Sequence, residues 1–177
     1  MKIAIIADVH DNWANLDKVL KYIHNKKIKT IICLGDLANS DTLDRLKNHF
    51  LGKIYYIFGN TEIDLYPNKK INNNKNFSFL GTTSGIIKLK DKKIAITHWP
   101  KEAHLLAKSG NYDLVFYGHS HKPEIQIIKN AKLKMQNKDI ILANPGNLCG
   151  IFYKPSFAIY DIDQNKLELK ILENIKI

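Results

Sequence analysis

Short apolar runs alternate with polar punctuation along the first sixty positions of the chain. Residues 2–7 (KIAIIA) form an apolar run closed by Asp8, the pattern of a strand buried on both faces. Asn12 can cap a following helix in which Trp13, Leu16, Val19, Leu20 and Ile23 recur at helical spacing. Thr30 to Leu34 is a second buried strand, ending at Gly35-Asp36. Ser40 or Asp41 opens a short helix through Leu43, Leu46 and Phe50, and Ile54 to Phe58 is a third strand, ending at Gly59-Asn60. This βαβαβ order implies parallel strands joined by right-handed crossovers.

The remainder has a different character. Asp64 to Asn76 is polar and reads as a loop. Strands are expected at Phe77 to Leu80, Gly85 to Leu89 and Lys93 to Thr97, the last two joined by a turn at Lys90-Asp91-Lys92. A helix is expected over Lys101 to Lys108. Further strands follow at Leu114 to Tyr117, Ile125 to Ile128, Ile140 to Ala143, Phe157 to Ile162 and Leu167 to Leu172. No internal repeat and no linker interrupts the pattern, so residues 1–177 read as one domain. About three helices to ten strands fits two sheets packed face to face with helices on the outsides.

Composition narrows the function classes. With 45% hydrophobic and 25% charged residues the chain is of ordinary globular make-up. No apolar run approaches the roughly 18–20 residues needed to span a bilayer, which excludes a helical membrane protein. The apolar stretch at the N-terminus is too short for a secretory signal. Two cysteines, Cys33 and Cys149, make neither a disulfide framework nor a Cys-based zinc site, and a cytoplasmic location follows as the expectation. The net charge of +10 raises the question of a nucleic-acid partner, but Arg45 is the only Arg among 27 basic residues. Phosphate and base recognition usually draws on the bidentate Arg fork. The excess of Lys, Asn and Ile has the look of an AT-rich coding bias, and nucleic acid is disfavoured as a partner. The surplus charge would still help capture a phosphate-bearing substrate.

Metal-ligating side chains stand where buried strands stop. Asp8 and His10 follow the first strand, Asp36 the second, Asn60 the third, His98 the strand ending at Thr97, and His119 and His121 the strand ending at Tyr117. Residues i and i+2 of an extended segment point the same way, so Asp8/His10 and His119/His121 each present two ligands together. Glycines at 35, 59 and 118 allow sharp turns and close approach, and ligands gather at the carboxyl ends of parallel strands. Two carboxylates, one amide and four imidazoles suit Mn²⁺, Fe, Zn²⁺, Co²⁺ or Ni²⁺. Seven ligands are too many for one ion and about right for two, if Asp36 bridges. Two such ions can polarise a phosphoryl group and activate a water between them.

Asp8-x-His10, Gly35-Asp36, Gly59-Asn60, His98 and Gly118-His119-Ser120-His121 together resemble the signature D-x-H, GD, GN, H, GHxH of the calcineurin-like metallophosphoesterases. The short length, the DVHDN opening and Asn144-Pro145-Gly146-Asn147 are most similar to its small single-domain prokaryotic phosphodiesterase subgroup. The resemblance implies an α/β fold, a four-layer α/β/β/α sandwich of two mixed β-sheets with helices on both outer faces. It also implies a dinuclear phosphoesterase that hydrolyses phosphodiester bonds through a metal-bridging hydroxide, with Asn60, Asp36 and His98 as catalytic residues. One divalent ion would take Asp8, His10, Asp36 and His121, and the other Asp36, Asn60, His98 and His119. Manganese is the first expectation, with nickel, iron, zinc, cobalt or magnesium as alternatives. The implied partners are a small phosphate-ester substrate and, by analogy with the subgroup, a second copy in a homodimer; no membrane is involved.

Three positions depart from the wider family. Many members carry a His after the Asn, and here Thr61 stands there, in Gly59-Asn60-Thr61-Glu62. A Thr hydroxyl donates a hydrogen bond but is no general acid near neutral pH, so slow hydrolysis with a preference for good leaving groups is expected. Trp99 follows His98 where Gly is usual; packing is the first expectation for it, and narrowing the cleft or offering a stacking surface the alternative. Asn147 replaces a frequent Ser. Asn12, Thr61 and Trp99 are the candidate substrate-binding residues, Asn12 with an equal claim as a helix cap. Glu62 is a candidate partner for a ligand, and His24, His49 and His104 fall outside the motifs. The competing readings are a protein-binding scaffold on the same fold, as in a eukaryotic trafficking-coat subunit that resembles this subgroup, and a phosphomonoesterase or nuclease. Retention of all seven ligands argues against the scaffold.

Overall fold

The computed structural model describes residues 1–62, 74–129 and 139–176; most of the expected Asp64–Asn76 loop, including Lys69-Lys70, lies outside them. Eleven strands and three α-helices are formed among the described residues. The first sheet has β1 (Lys2–Ile6), β2 (Thr30–Cys33), β3 (Lys53–Tyr56) and β4 (Phe77–Phe79) in parallel, with β10 (Ser156–Asp161) and β11 (Lys166–Ile171) added antiparallel, in the order β11-β10-β1-β2-β3-β4. The second sheet joins β5 (Ser84–Leu89), β6 (Lys92–Thr97), β7 (Leu114–Phe116), β8 (Glu124–Ile128) and β9 (Ile140–Asn144) in the order β5-β6-β7-β9-β8. Here β6, β7 and β9 run parallel, while β5 and β8 are antiparallel edges. Both sheets are therefore mixed.

The apolar runs are explained by the layers. Because side chains alternate along a strand, Ile3 and Ile5 of β1 meet Ile87, Ile94, Ile96, Leu114 and Phe116 between the sheets. Ala4 and Ile6 face outward, onto α1 (Trp13–Asn25) and α2 (Ser40–His49). Ala103 and Ala107 of α3 (Pro100–Ser109) cover the far face of the second sheet. The result is the four-layer α/β/β/α sandwich. Leu16, Val19, Leu20 and Ile23 form the buried stripe of α1, each contributing roughly 1.5–3 kcal/mol by leaving water.

Three local expectations change. Trp13 is 40% exposed rather than part of that stripe; its indole N–H donates to Thr42 Oγ1 at 2.6 Å and the Arg45 guanidinium lies over its ring. The cap of α2 is Asn39, one residue before Ser40, whose side-chain oxygen accepts from the N–H groups of Asp41 and Thr42. The third strand ends at Tyr56, and residues 57–59 run on as irregular backbone, with the Ile57 N–H on the Cys33 carbonyl.

Candidate metal centre

The carboxyl ends of β1, β2, β3, β6 and β7 lie together, and the seven expected ligands converge there. They do not converge through extended backbone, as the i, i+2 spacing suggested. Asp8, His10, Asp36, His119 and His121 all have φ between 44° and 68°. Left-handed conformations of this kind are costly outside glycine and collect at functional sites. The strands β1, β2 and β7 therefore end in tight turns that throw their ligands back across the strand ends. Gly35 and Gly59 make this possible: a Cβ on Gly35 would lie 2.3 Å from the Gly59 nitrogen, and one on Gly59 would lie 2.1 Å from Asp36 Oδ1.

Asp36 occupies the middle. Its Oδ2 lies 3.5 Å from His10 Nε2 and 3.4 Å from His98 Nε2. Asp36, His98 and His119 form one ligand set and Asp8, His10 and Asp36 a second, all ligand atoms within 4.8 Å in each. His121 Nε2 lies 3.4 Å from Asp8 Oδ1 and 3.3 Å from His10 Nε2. Asn60 Oδ1 sits 3.1 Å from His98 Nε2 and 2.8 Å from His119 Nδ1.

The donor chemistry fits cations. His98 Nδ1 faces the Leu34 carbonyl at 2.8 Å and His121 Nδ1 the Ile151 carbonyl at 3.3 Å. Carbonyl partners take the ring proton at Nδ1 and leave Nε2 as a lone pair toward the cluster. Lone pairs of imidazole, amide and carboxylate then confront one another at 3.1–3.5 Å. That is close to the roughly 3–3.4 Å expected for neighbouring ligands about 2.1 Å from a shared ion. No Lys or Arg pairs with Asp8 or Asp36 among the described residues, although both carboxylates are buried. Buried charge needs such compensation.

In the metal-free protein the compensation falls to protons. Burial works against the charge on Asp36, but the hydrogen bond and charge of His98, the Thr61 N–H and His10 outweigh it and hold its carboxyl at about 2. Burial likewise disfavours charged His98, and Asp36 reverses this and raises it. His121 is raised by its bond to Asp8, whereas burial and the neighbouring His98 lower His119.

The remaining candidates fall into two groups. Thr61 holds Asp36, with both its N–H and its hydroxyl on Asp36 Oδ1 at 2.9 and 3.1 Å. Asn12 is the N-cap of α1: Oδ1 accepts from Asn15 N, and Nδ2 donates to the Cys149 carbonyl. Trp99 lies beside His119, ring centroids 4.9 Å apart and planes tilted by 50°. His24, His49 and His104 sit on the three helices, away from the ligand sets. Cys33 is buried in β2. Cys149 has Sγ 3.7 Å from His121 Nδ1, but burial pushes its thiol up and keeps it a poor nucleophile.

Two braces went unread as such in the sequence. Glu62 is fully buried and accepts four donors: Asp36 N, Leu37 N, Gly59 N and the Tyr56 hydroxyl, at 2.5–3.0 Å. Tyr56 keeps its proton to donate, since burial and Glu62 raise its phenol. On the other side, Asn144 Nδ2 donates to the Gly118 carbonyl and Ser120 Oγ, and Asn147 Nδ2 to the His121 carbonyl. The N–H groups of Leu148 and Cys149 bind the Asp8 carbonyl. The Pro-Gly pair inside Asn144-Pro145-Gly146-Asn147 was the available signal of an ordered turn.

Comparison with known proteins gives one family. The model of the calcineurin-like phosphoesterase superfamily domain matches residues 1–165. The chain is 26% identical to phosphodiesterase MJ0936 of Methanocaldococcus jannaschii, over 98% of this chain and 100% of that protein. Its fold is similar to a solved archaeal phosphodiesterase, with TM-score 0.78 and 23% identity over 97% of this chain and 99% of that one. It is also similar to Vps29 of Chaetomium thermophilum, with TM-score 0.64 and 18% identity over 96% and 93% of the two chains.

Proposed function

The chain belongs to the calcineurin-like phosphoesterase superfamily, and from that premise we propose that it is a metal-dependent phosphodiesterase acting on small phosphate diesters. The observation that carries this is the position of Asp36, whose one carboxylate is common to two ligand sets. Asp8, His10, Asp36 and His121 would hold one divalent ion, and Asp36, Asn60, His98 and His119 the other, with manganese the first choice for this mixed O/N set. Bound there, the ions supply charge neutralisation at the phosphoryl oxygens and a source of nucleophilic oxygen from water near neutral pH.

The chain's own residues set the rest. The Leu34 and Ile151 carbonyls fix the tautomers of His98 and His121, so both rings offer Nε2 without reorganising. Thr61 and Glu62 hold the Asp36 side chain and backbone in place. Hydrolysis joins the oxygen of water to phosphorus and breaks the bond to one ester oxygen, which leaves with the bonding electron pair and, where basic, takes up a proton. Thr61 occupies the position after Asn60 and cannot give up that proton near neutral pH. The proton therefore comes from solvent, and leaving groups of low basicity are favoured. Bis(4-nitrophenyl) phosphate should be hydrolysed faster than 4-nitrophenyl phosphate, activity should vanish after chelation, and added manganese should restore it. Full activity in chelator-stripped protein would overturn metal dependence. Preference for the monoester would overturn the substrate class. DNA is expected to resist cleavage at low salt, and its rapid degradation would favour the nuclease alternative.

A further inference from the structure

A cavity of about 580 Å³ opens beside the ligand cluster, lined by Thr83, Trp99, Pro100, Lys101, Glu102 and His119. Its volume is that of a small-molecule site and exceeds what a phosphoryl group alone would fill. His119 belongs both to this cavity and to a ligand set, so a phosphate ester held at the cluster sits at the cavity mouth. The walls are set in advance. The hydroxyl of buried Thr97 accepts from the Trp99 N–H at 3.2 Å and donates to the Thr83 carbonyl at 2.7 Å, tying two walls to one atom.

Trp99 is the distinctive wall. Its ring lies against His119 and edge-on to His98, with centroids 4.9 and 5.4 Å apart. It also occupies the N-cap position of α3, where it makes no side-chain capping bond. Ser, Thr, Asp or Asn is the ordinary choice at such a position. A local preference set aside beside a reaction centre points to a functional demand.

We infer that this cavity receives the ester arm that stays on phosphorus after hydrolysis, and that it selects a planar aromatic arm stacked on Trp99. The inference rests on the phosphodiesterase activity proposed above. In an in-line displacement the entering and departing oxygens lie opposite one another, and the retained arm projects sideways between them. The cavity meets the cluster at His119, its exposed ligand, and is assigned to that sideways arm. Aryl groups and nucleobases share the required planar face.

The test holds the leaving group constant. Phenyl 4-nitrophenyl phosphate and methyl 4-nitrophenyl phosphate both release 4-nitrophenolate and differ only in the retained arm. The ratio of their kcat/KM values, phenyl over methyl, should fall about tenfold in Trp99→Ala, chiefly through KM, the scale of one stacked ring. Trp99→Phe should keep most of the ratio. An unchanged ratio, with both rates equal to wild type or lowered together, would mean that Trp99 only packs, and the inference fails. Calorimetric binding of phenyl phosphate and methyl phosphate to manganese-loaded protein separates this from failure of the activity itself. Even if neither diester turns over, tighter phenyl phosphate binding that Trp99→Ala abolishes supports the cavity, and equal binding of the two overturns it. A uridine 5′-monophosphate arm of the same titration distinguishes a nucleobase from a simple aryl occupant.

Discussion

The loops carrying Asp36 and Asn60 are tied by a carboxylate, whereas those carrying Asp8, His119 and His121 are tied by carboxamides and backbone. On the first side the turns point backbone N–H groups inward, from Asp36, Leu37 and Gly59, and Glu62 accepts all three plus the Tyr56 hydroxyl. On the second side the turns leave carbonyls to satisfy, at Gly118 and His121, and Asn144 and Asn147 donate to them. The same amides accept in turn from the Gly146 and Gly150 N–H groups. Strained left-handed turns expose whichever polar group the local geometry dictates, and a buried unpaired group costs about 1–3 kcal/mol. The brace on each side is the side chain of opposite hydrogen-bonding sense. Asp36 is where the two sides meet.

The largest effect should come from removing that meeting point. Substitutions that merely support ligands cost 10–100-fold in affinity or activity, so Asp36→Asn, which weakens both ligand sets, should lower diesterase turnover by roughly 100-fold or more. Manganese titration should show both sites weakened; loss at one site alone would contradict the shared role.

Glu62→Gln comes next. An amide nitrogen placed among these donors must face at least one backbone N–H, and the loss should be about 3 kcal/mol. That corresponds to a fall of roughly 6–12 °C in Tm for a chain of this size. A Tm within a degree of wild type would remove the carboxylate brace from the account.

Asn147→Asp inverts the test on the other side, setting a carboxylate against the His121 carbonyl. A loss of about 2 kcal/mol is expected, seen as a lower urea midpoint with an unchanged slope. If this variant proved as stable as wild type, the donor sense of that brace would be wrong.

The smallest effect is the pH dependence of the metal-free protein. Asp36 is held at about 2 against an ordinary 3.8, so its contribution is present above about pH 4 and is lost as pH falls through 2. His98 is raised above 6.5, so its contribution is complete below that value and declines as pH rises through the raised one. With chelator present, Tm should be highest between about pH 4 and 6.5, and Asp36→Asn should flatten both flanks. A wild-type profile that stayed flat below pH 4 down to about 2, and above 6.5, would show that the pair is not coupled.

Much of the architecture was legible along the chain because burial on both faces leaves a local imprint. The uninterrupted apolar runs at β1 and β2 could belong only to strands covered on two sides, and the order of runs and amphipathic stripes implied the parallel core. The candidate ligands were legible for a related reason, since a metal-binding side chain at the end of a buried strand, after a glycine at Asp36, Asn60 and His119, is a local pattern. Trp13 was misjudged because spacing alone cannot tell a helix's buried stripe from its edge, where a hydrogen bond to Thr42 and the Arg45 cation replaced burial.

The sequence by itself thus determined where the strands lie, to within a residue or two, and singled out seven side chains as candidate ligands. Only the tertiary structure decided how those side chains meet. For Asp8, His10, Asp36, His119 and His121, convergence runs through left-handed turns rather than extended strand ends. The donors and acceptors those turns expose are satisfied by residues distant in sequence, Glu62 for one side and Asn144 and Asn147 for the other. A hydrogen bond between loops from different strands leaves no periodic trace in the chain, because its partners are set by the packing of two sheets.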